Sequence, residues 1–119
     1  VEVMRCARDR TTSPVHVDDV ADAVIRLMEE GCHGIYHVAG PQALSRLKMF
    51  KILLEEMRRS GSVTVRVESC SIHDFFTEER RPHDISMWPD KLIAETGLTP
   101  RNLRSACRHL VDAAGQAAA

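Results

Sequence analysis

The sequence predicts an α/β domain built around one hydrophobic core. The chain has 119 residues, 44% of them hydrophobic, which suits a single domain with a modest core. Segments with strand-like alternation and segments with helical spacing follow in the order strand, helix, strand, helix, strand and two helices. We therefore expect about three short strands and four helices.

The first strand and helix are predicted from residue spacing. Residues 1–7 alternate loosely between apolar and polar side chains and predict a strand, and the polar run 9–13 predicts a loop. A helix is predicted from Asp18, which we expect to be its N-cap, up to Gly31. Its apolar stripe follows helical spacing at Val20, Val24, Leu27 and Met28.

The middle of the chain predicts two further strands around a second helix. Residues 35–38 are β-branched or aromatic apart from one histidine and lie between glycines, so they predict a short strand. Ser45 is a favourable N-cap for a helix running to about Arg59. Residues 63–67 alternate strictly and predict a half-buried strand.

An irregular segment and two helices are predicted for the remainder. Residues 69–88 show no sustained period, and we expect them to carry side chains to a ligand. Pro89 is expected at the first position of a short helix that Gly97 ends. A last helix is expected to follow Pro100, with a core face of Leu103, Cys107, Leu110 and Val111.

The predicted boundaries give one packed unit, residues 1–112, and a frayed tail, residues 113–119. Three short strands are few for an independent sheet. We therefore expect them to add to a sheet whose other strands lie outside these residues.

Charge and composition narrow the class of partner. Sixteen basic and 17 acidic residues give a net charge of −1, and the basic residues are scattered, so no nucleic-acid partner is expected. No apolar run is long enough for a membrane span or a secretion signal, so we predict no membrane partner and a cytoplasmic location.

The four cysteines predict free thiols. Cys6, Cys32, Cys70 and Cys107 are far apart and form no C-x-x-C pair. Two disulfides are the alternative, but they suit a secreted scaffold better than a chain rich in amphipathic helices. Cys32, His33 and His37 have no second cysteine pair nearby, so no metal site is expected.

Several short motifs share one order along residues 9–112. They are Asp9-Arg10, Ser13-Pro14-Val15-His16-Val17-Asp18-Asp19-Val20-Ala21, Gly34-Ile35-Tyr36-His37-Val38-Ala39-Gly40-Pro41, Ser45-Arg46-Leu47, Arg81-Pro82-His83-Asp84, Lys91-Leu92 and Gly97-Leu98. In this order they resemble the C-terminal, substrate-binding portion of the dTDP-4-dehydrorhamnose reductase family. The resemblance implies the fold of an extended short-chain dehydrogenase without its N-terminal Rossmann half.

Two features of such reductases are missing from this sequence. It has no Gly-rich turn that could approach a dinucleotide, and its only tyrosine, Tyr36, is followed four positions later by Gly40 instead of lysine. We therefore expect no catalytic residue and no cofactor in this chain, and NADP or NAD only in a full-length parent. The first residue is Val1 and not methionine, which favours a fragment.

The resemblance implies a substrate contact for Arg81, since an arginine at this place grips the diphosphate of a sugar nucleotide in related enzymes. The alternative is a solvated charge run, residues 78–81, that pairs with itself. His83 is expected to line the pocket or to lie in an exposed turn.

Four other residues have competing interpretations. His16 lies near the pocket in the resemblance, but a structural histidine is favoured. Asp18 and Asp19 could form an acid/base pair, but capping of the helix is favoured. Trp88 stands where the family has a capping Asp or Asn; it stacks on a base or sugar ring or packs in the core, and core packing is favoured.

Three functions are therefore open. The first is the substrate-binding portion of an NAD(P)-dependent reductase of a dTDP-4-keto sugar, with a nucleotide-diphosphate sugar and a Rossmann half as partners. The second is a non-catalytic binding protein resembling the regulatory beta subunit of methionine adenosyltransferase. The third is a decayed gene product. For the isolated chain we expect self-association through an exposed apolar edge.

Overall fold

The computed structural model describes residues 2–118 and confirms the α/β class. Within that range the strands are β1 (Val3–Ala7), β2 (Thr11–Thr12), β3 (Leu44–Ser45) and β4 (Arg66–Cys70). The helices are α1 (Val17–Glu29), α2 (Arg46–Ser60), α3 (Asp90–Thr96) and α4 (Leu103–Ala118), with a 3₁₀ helix at Ile72–Asp74. None of these helices is both long and apolar enough to cross a lipid bilayer.

The strands form two small sheets. β1 pairs in parallel with β4, from Val3 opposite Arg66 to Ala7 opposite Cys70, and β2 pairs antiparallel with β3. The third predicted strand, residues 63–67, was therefore placed three residues too early. Alternation of apolar and polar residues shows which side chains share a face of the strand. The position of the partner strand β1 decides which residues pair with it.

The strand predicted at residues 35–38 was wrong. Within residues 2–118, residues 35–38 form no backbone pairing with another strand. The Lys91 ammonium instead donates to the Ile35 carbonyl at 3.0 Å. Further along, Ala39 is fully buried and Gly40 lies against the backbone of Pro14. A strand needs a neighbouring chain to pair with, and β propensity alone does not supply one.

Helix α1 has a different cap from the predicted one. His16 is the N-cap, and its Nδ1 accepts a hydrogen bond from the Asp18 amide at 3.0 Å. Asp18 lies inside the first turn, where its negative charge is attracted by the partial positive charge at the N-terminal end of the helix. The helix therefore starts at Val17, one residue before the predicted start.

The core lies between α2 and α4. Leu44, Leu103 and Cys107 are buried together, and side chains of α2 pack against them: Met49, Ile52 and Leu53. The predicted core face of α4 is correct for Leu103 and Cys107 but wrong for Leu110, which is 52% exposed. The four cysteines are free thiols, as predicted.

The helix boundaries at Ser45 and Gly97 agree with those predicted from sequence, whereas the start of α3 and the end of α4 differ. Ser45 caps α2 by accepting from the Lys48 amide, and Gly97, at a φ of 74°, ends α3 as predicted. Pro89 precedes the first helical residue instead of occupying it. Helix α4 continues to Ala118, beyond the expected boundary at residue 112, because alanine is the strongest helix former. Ala119 lies outside the described residues.

Candidate functional site

A cleft of about 410 Å³ opens beside β1, between the first turns of α2 and the irregular segment that follows β4. Its lining combines apolar side chains with arginines: Met4, Arg5, Cys6, Ala7, Arg10, Thr12, Arg46, Met49, Phe50, Ile72, Phe75, Arg81 and Ile85. We call it the arginine cleft, after Arg5, Arg10, Arg46 and Arg81.

Pairing of β2 with β3 brings the first half of the chain to the cleft. Thr11 lies opposite Ser45, and the Arg46 amide donates to the Arg10 carbonyl at 3.1 Å. Because Ser45 caps α2, Arg46 is the first residue of that helix and lies directly beside the loop that carries Arg10. Two arginines that are 36 positions apart in sequence thus line one cleft.

The segment that carries Arg81 is attached to β2 by backbone hydrogen bonds. The Thr11 amide donates to the His83 carbonyl at 2.7 Å, and the Ile85 amide donates to the Thr11 carbonyl at 2.9 Å. The Arg10 guanidinium adds a third bond, to the Pro82 carbonyl at 3.1 Å. These bonds hold Arg81 at the mouth of the cleft although the segment has no regular structure of its own.

The charge of the cleft favours an anion. None of the described residues that line it carries a carboxylate. Arg5 is the one lining arginine with an acidic neighbour in the described residues, Asp74 at 3.7 Å, and its guanidinium also lies 5.7 Å from the centre of the Phe75 ring. Guanidinium groups bind phosphate oxygens, and apolar side chains pack against rings. A cleft lined by both suits a ligand that contains a phosphate group and a ring.

The structure tests one part of the alternative interpretation of residues 78–81, the pairing of the run with itself, while the four residues are exposed as a solvated run would be. Among the described residues no ion pair forms within this run, and Arg81 is exposed and lines the cleft. The interpretation as a self-paired run is therefore not supported. The substrate contact of Arg81 stays a prediction, now with a position that suits it.

His83 and Trp88 lie outside the lining of the arginine cleft. The His83 ring faces away from it, with Nδ1 3.0 Å from the Asp9 carbonyl and Nε2 3.1 Å from Nε2 of His73. The favoured core packing of Trp88 was wrong, because this side chain is 66% exposed. The neighbouring Met87 is held by the Ser13 hydroxyl, which donates to its carbonyl at 3.1 Å and accepts from its amide at 3.0 Å.

His16 lies outside the lining of the arginine cleft and caps α1. It is 5% exposed; Nδ1 accepts from the Asp18 amide, and Nε2 is 3.0 Å from Nδ1 of His109. Asp19 is also structural, since its carboxylate accepts from the backbone amide and the side chain of Arg101 at 3.0 and 3.2 Å. Neither group is free to act on a ligand in the cleft.

Tyr36 does have a lysine near it, but in an arrangement unsuited to proton donation. The Lys91 ammonium lies 4.3 Å from the centre of the ring, and the tyrosine hydroxyl donates to the Glu95 carboxylate. That hydrogen bond raises the pKa of Tyr36, whereas a catalytic tyrosine needs a lowered pKa.

Three cleft arginines, Arg5, Arg10 and Arg46, were not predicted as site residues. Arg10 stands in the quoted Asp9-Arg10 motif and Arg46 in the quoted Ser45-Arg46-Leu47 motif, so both had a sequence signal. Arg5 had none, because a charged residue in an alternating strand is usually on a solvated face. Its place in the cleft depends on how β1 packs against α2.

A second hollow, of about 530 Å³, lies between α2 and the chain that enters β4. It is larger but shallower, and its charged lining mixes Lys51, Arg58 and Arg66 with Glu55; Arg66 pairs with Glu68 at 2.9 Å. The Arg58 guanidinium is already bonded to the Val65 carbonyl at 3.2 Å. This hollow therefore has less unpaired positive charge to offer an anion than the arginine cleft.

Comparison with known proteins gives the family. A family model described as the RmlD substrate binding domain matches residues 1–115. The chain belongs to this family. The family match agrees with the fold and with the resemblance inferred from the motifs, namely the C-terminal portion of dTDP-4-dehydrorhamnose reductases.

One curated relative of this RmlD substrate binding domain is the spore coat polysaccharide biosynthesis protein SpsK of Bacillus subtilis (strain 168). The two are 31% identical over 105 residues, which is 88% of this chain and 35% of the relative. The chain therefore spans about a third of the length of the curated relative that it matches.

Solved structures share the fold. A dTDP-4-dehydrorhamnose reductase from Bacillus anthracis str. Ames, in complex with NADP, superposes with a TM-score of 0.80 at 19% identity, over 92% of this chain and 37% of that one. An ortholog from Clostridium acetobutylicum ATCC 824 has a TM-score of 0.80 at 17% identity, over 96% and 39%. RMD from Pseudomonas aeruginosa, complexed with NADPH, gives 0.62 at 16%, over 92% and 35%.

Proposed function

We propose that these residues are the substrate-binding portion of an NAD(P)-dependent reductase that acts on a dTDP-4-keto sugar. The observation that carries the proposal is the arginine cleft, which lies in a domain of the family that binds the substrate of such reductases. Its four guanidinium groups offer paired donors to the diphosphate. Phe50 and Phe75 offer apolar surface to the base or the sugar.

The cofactor does not fit the residues of this chain. None of the glycines lines the cleft, and those at positions 31, 61, 97 and 115 face open space one at a time instead of forming a Gly-rich turn. We therefore propose that the dinucleotide, the hydride and the proton are supplied by residues outside this sequence. In this scheme the chain contributes binding and orientation of the nucleotide sugar and no chemical step. Its cytoplasmic location stays a prediction.

The cleft is tested by Arg81→Ala. We expect the protein to bind thymidine diphosphate in calorimetric titration, and we expect Arg81→Ala to weaken binding about tenfold, as loss of one charge-assisted hydrogen bond would. Arg66→Ala is the matched control, since Arg66 is exposed, pairs with Glu68 at 2.9 Å and lies outside the cleft. Equal affinity in the wild type and Arg81→Ala would remove Arg81 from the site.

A second candidate function is the non-catalytic binding protein, and the surface of α1 favours it. Val17, Val24, Ile25 and Met28 lie on one face of this helix and are 69%, 48%, 54% and 76% exposed. A continuous apolar face on a helix is typical of a protein contact. The assay uses this chain joined to a dinucleotide-binding half. Oxidation of NADPH in the presence of a dTDP-4-keto sugar would favour the reductase, and no oxidation of NADPH would favour the binding role.

We expect the isolated chain to self-associate through this face of α1. In size-exclusion chromatography the wild type should elute as a dimer or larger species, and Met28→Glu should shift it toward monomer because a charge in the contact opposes burial. Leu110→Glu is the control, since Leu110 is 52% exposed on another helix. A monomeric wild type with cooperative melting would contradict the expectation.

A further inference from the structure

Asp9, His73 and His83 meet at one edge of the β1 and β4 sheet. β1 and β4 are parallel and end opposite each other at Ala7 and Cys70, so the residues that follow them emerge side by side. Asp9 follows β1, and His73 lies in the 3₁₀ helix after β4. His83 joins them because its carbonyl accepts from the Thr11 amide at 2.7 Å.

The two histidine rings approach each other with a spacing that suits a metal ion, and the Asp9 carboxylate lies near them. Nε2 of His73 and Nε2 of His83 are 3.1 Å apart, and one ligand atom from each of the three residues lies within 4.8 Å of the others. With metal–nitrogen bonds of about 2.0–2.1 Å, two ligands lie roughly 2.9 Å apart at a right angle and roughly 3.4 Å apart at the tetrahedral angle. The observed separation falls between these values.

Hydrogen bonding orients His83 as a ligand. Its Nδ1 lies 3.0 Å from the Asp9 carbonyl, and a carbonyl can only accept, so Nδ1 carries the proton. The lone pair is therefore on Nε2, which accepts from Nε2–H of His73 at 3.1 Å; a bound metal ion would replace that proton. A histidine whose second nitrogen donates to a carbonyl is the usual arrangement of a metal ligand in proteins.

The Asp9 carboxylate is held in place beside them. One oxygen accepts from the Ser71 hydroxyl at 2.6 Å and the other from the Ile72 amide at 2.7 Å. Each oxygen has a further lone pair for a cation.

We propose that Asp9, His73 and His83 form a site for a divalent first-row transition metal such as Zn²⁺. Two imidazoles and one carboxylate are a ligand set for these ions, and water completes the shell because His83 and Asp9 have side chains 45% and 29% exposed. The bound ion would join the Asp9 loop, the 3₁₀ helix and the Arg81 segment. The expectation of no metal site came from the spacing of the four cysteines and from Cys32, His33 and His37, and it did not consider residues from three distant segments.

A second group of the same composition does not qualify. His16, Asp18 and His109 also approach one another. There Nδ1 of His16 accepts from the Asp18 amide, so its proton is on Nε2 and points at His109. A metal ion at Nδ1 would remove the cap of α1, and His16 is 5% exposed, so water could not complete the shell of an ion there. This group serves as an internal control.

The test is titration of the protein with Zn²⁺, and with Co²⁺ followed by visible absorption, without any nucleotide. A Cys32→Ser background removes the one cysteine that is not fully buried. We expect one equivalent of Zn²⁺ to bind and a Co²⁺ spectrum without the thiolate band. His73→Ala and His83→Ala should each weaken binding at least about tenfold, and His109→Ala and His33→Ala should leave it within about twofold.

Several results would overturn the site: no binding of Zn²⁺ to the wild type, unchanged affinity in the double variant His73→Ala/His83→Ala, or an equal loss in His109→Ala. If His83→Ala does not keep its circular dichroism spectrum, His73→Ala decides, since His73 is exposed in a short 3₁₀ helix. Zinc binding is measured apart from nucleotide binding, so failure of the arginine cleft does not affect this result.

Discussion

Replacing Glu56 with glutamine should lower the melting temperature by roughly 5–10 °C, one of the two largest effects expected for this chain. Glu56 lies in α2 and is only 1% exposed, yet it is a charged residue. Its carboxylate accepts from three arginines: Arg59 in the same helix and Arg104 and Arg108 in α4. Glutamine keeps the shape of the side chain but removes the charge that holds α2 to α4.

The acid dependence of stability gives a second measure of Glu56. The bond from Arg108, followed by that from Arg59, lowers the pKa of Glu56 to about 2 from an ordinary value of 4.5. A lowered pKa in the folded state adds stability that is complete above pH 4.5 and is lost as the pH falls toward 2. The difference in melting temperature between wild type and Glu56→Gln should therefore shrink through that range.

Glu55→Gln is the matched control for Glu56. Glu55 is the neighbouring residue, its side chain is exposed, and it pairs with Arg104 at 2.7 Å. An exposed pair of this kind contributes little, so we expect a change within about 2 °C. Equal effects of the two variants, or a gap between wild type and Glu56→Gln that is the same at pH 6 and pH 2.5, would contradict the central role of Glu56.

Gly40→Ala should destabilise the fold by about 3 kcal/mol or more, because the new methyl group has no room. A Cβ at this position would lie 1.8 Å from the Pro14 carbonyl oxygen and 3.0 Å from its carbon. Both are backbone atoms, so relief requires the chain before Pro41 to move away from Pro14. That movement would expose Ala39, which is fully buried.

Gly61→Ala is the control for Gly40. Nothing lies within 4 Å of a Cβ at Gly61, and its φ of 175° is ordinary extended backbone. We expect a change within about 0.5 kcal/mol there. Urea or thermal unfolding of both variants checks the comparison, and a Gly40→Ala protein as stable as Gly61→Ala would show that the contact with Pro14 is not required.

Part of the site could be inferred from sequence and part could not. Arg81 was selected because its surroundings resemble those of a known family, and the structure places it in the cleft. Arg5 could not be inferred, because its place in the cleft depends on how β1 packs against α2. The meeting of Asp9 with His73 and His83 could not be inferred either, because it depends on β1 and β4 being parallel neighbours. Segments that are 62 or more positions apart carry no local sign that they will touch.

Glu56 shows the same limit within a helix. In the sequence it is the second of two glutamates followed by Met57 and two arginines, a pattern typical of a solvated face. It is buried because α4 packs beside α2 and brings Arg104 and Arg108 over it. The charge pattern of α2 alone gives no indication of those partners.

The sequence by itself determined the features whose physical cause lies within a few residues: the cap at Ser45, the left-handed Gly97 that ends α3, the helical stripe of α2 and the family motifs. Tertiary structure alone decided the limits of β4, the cap by His16, the arginine cleft and the histidine pair beside Asp9. Caps and turns form from neighbouring backbone groups, whereas strand pairing and converging side chains need a partner that only the folded chain supplies.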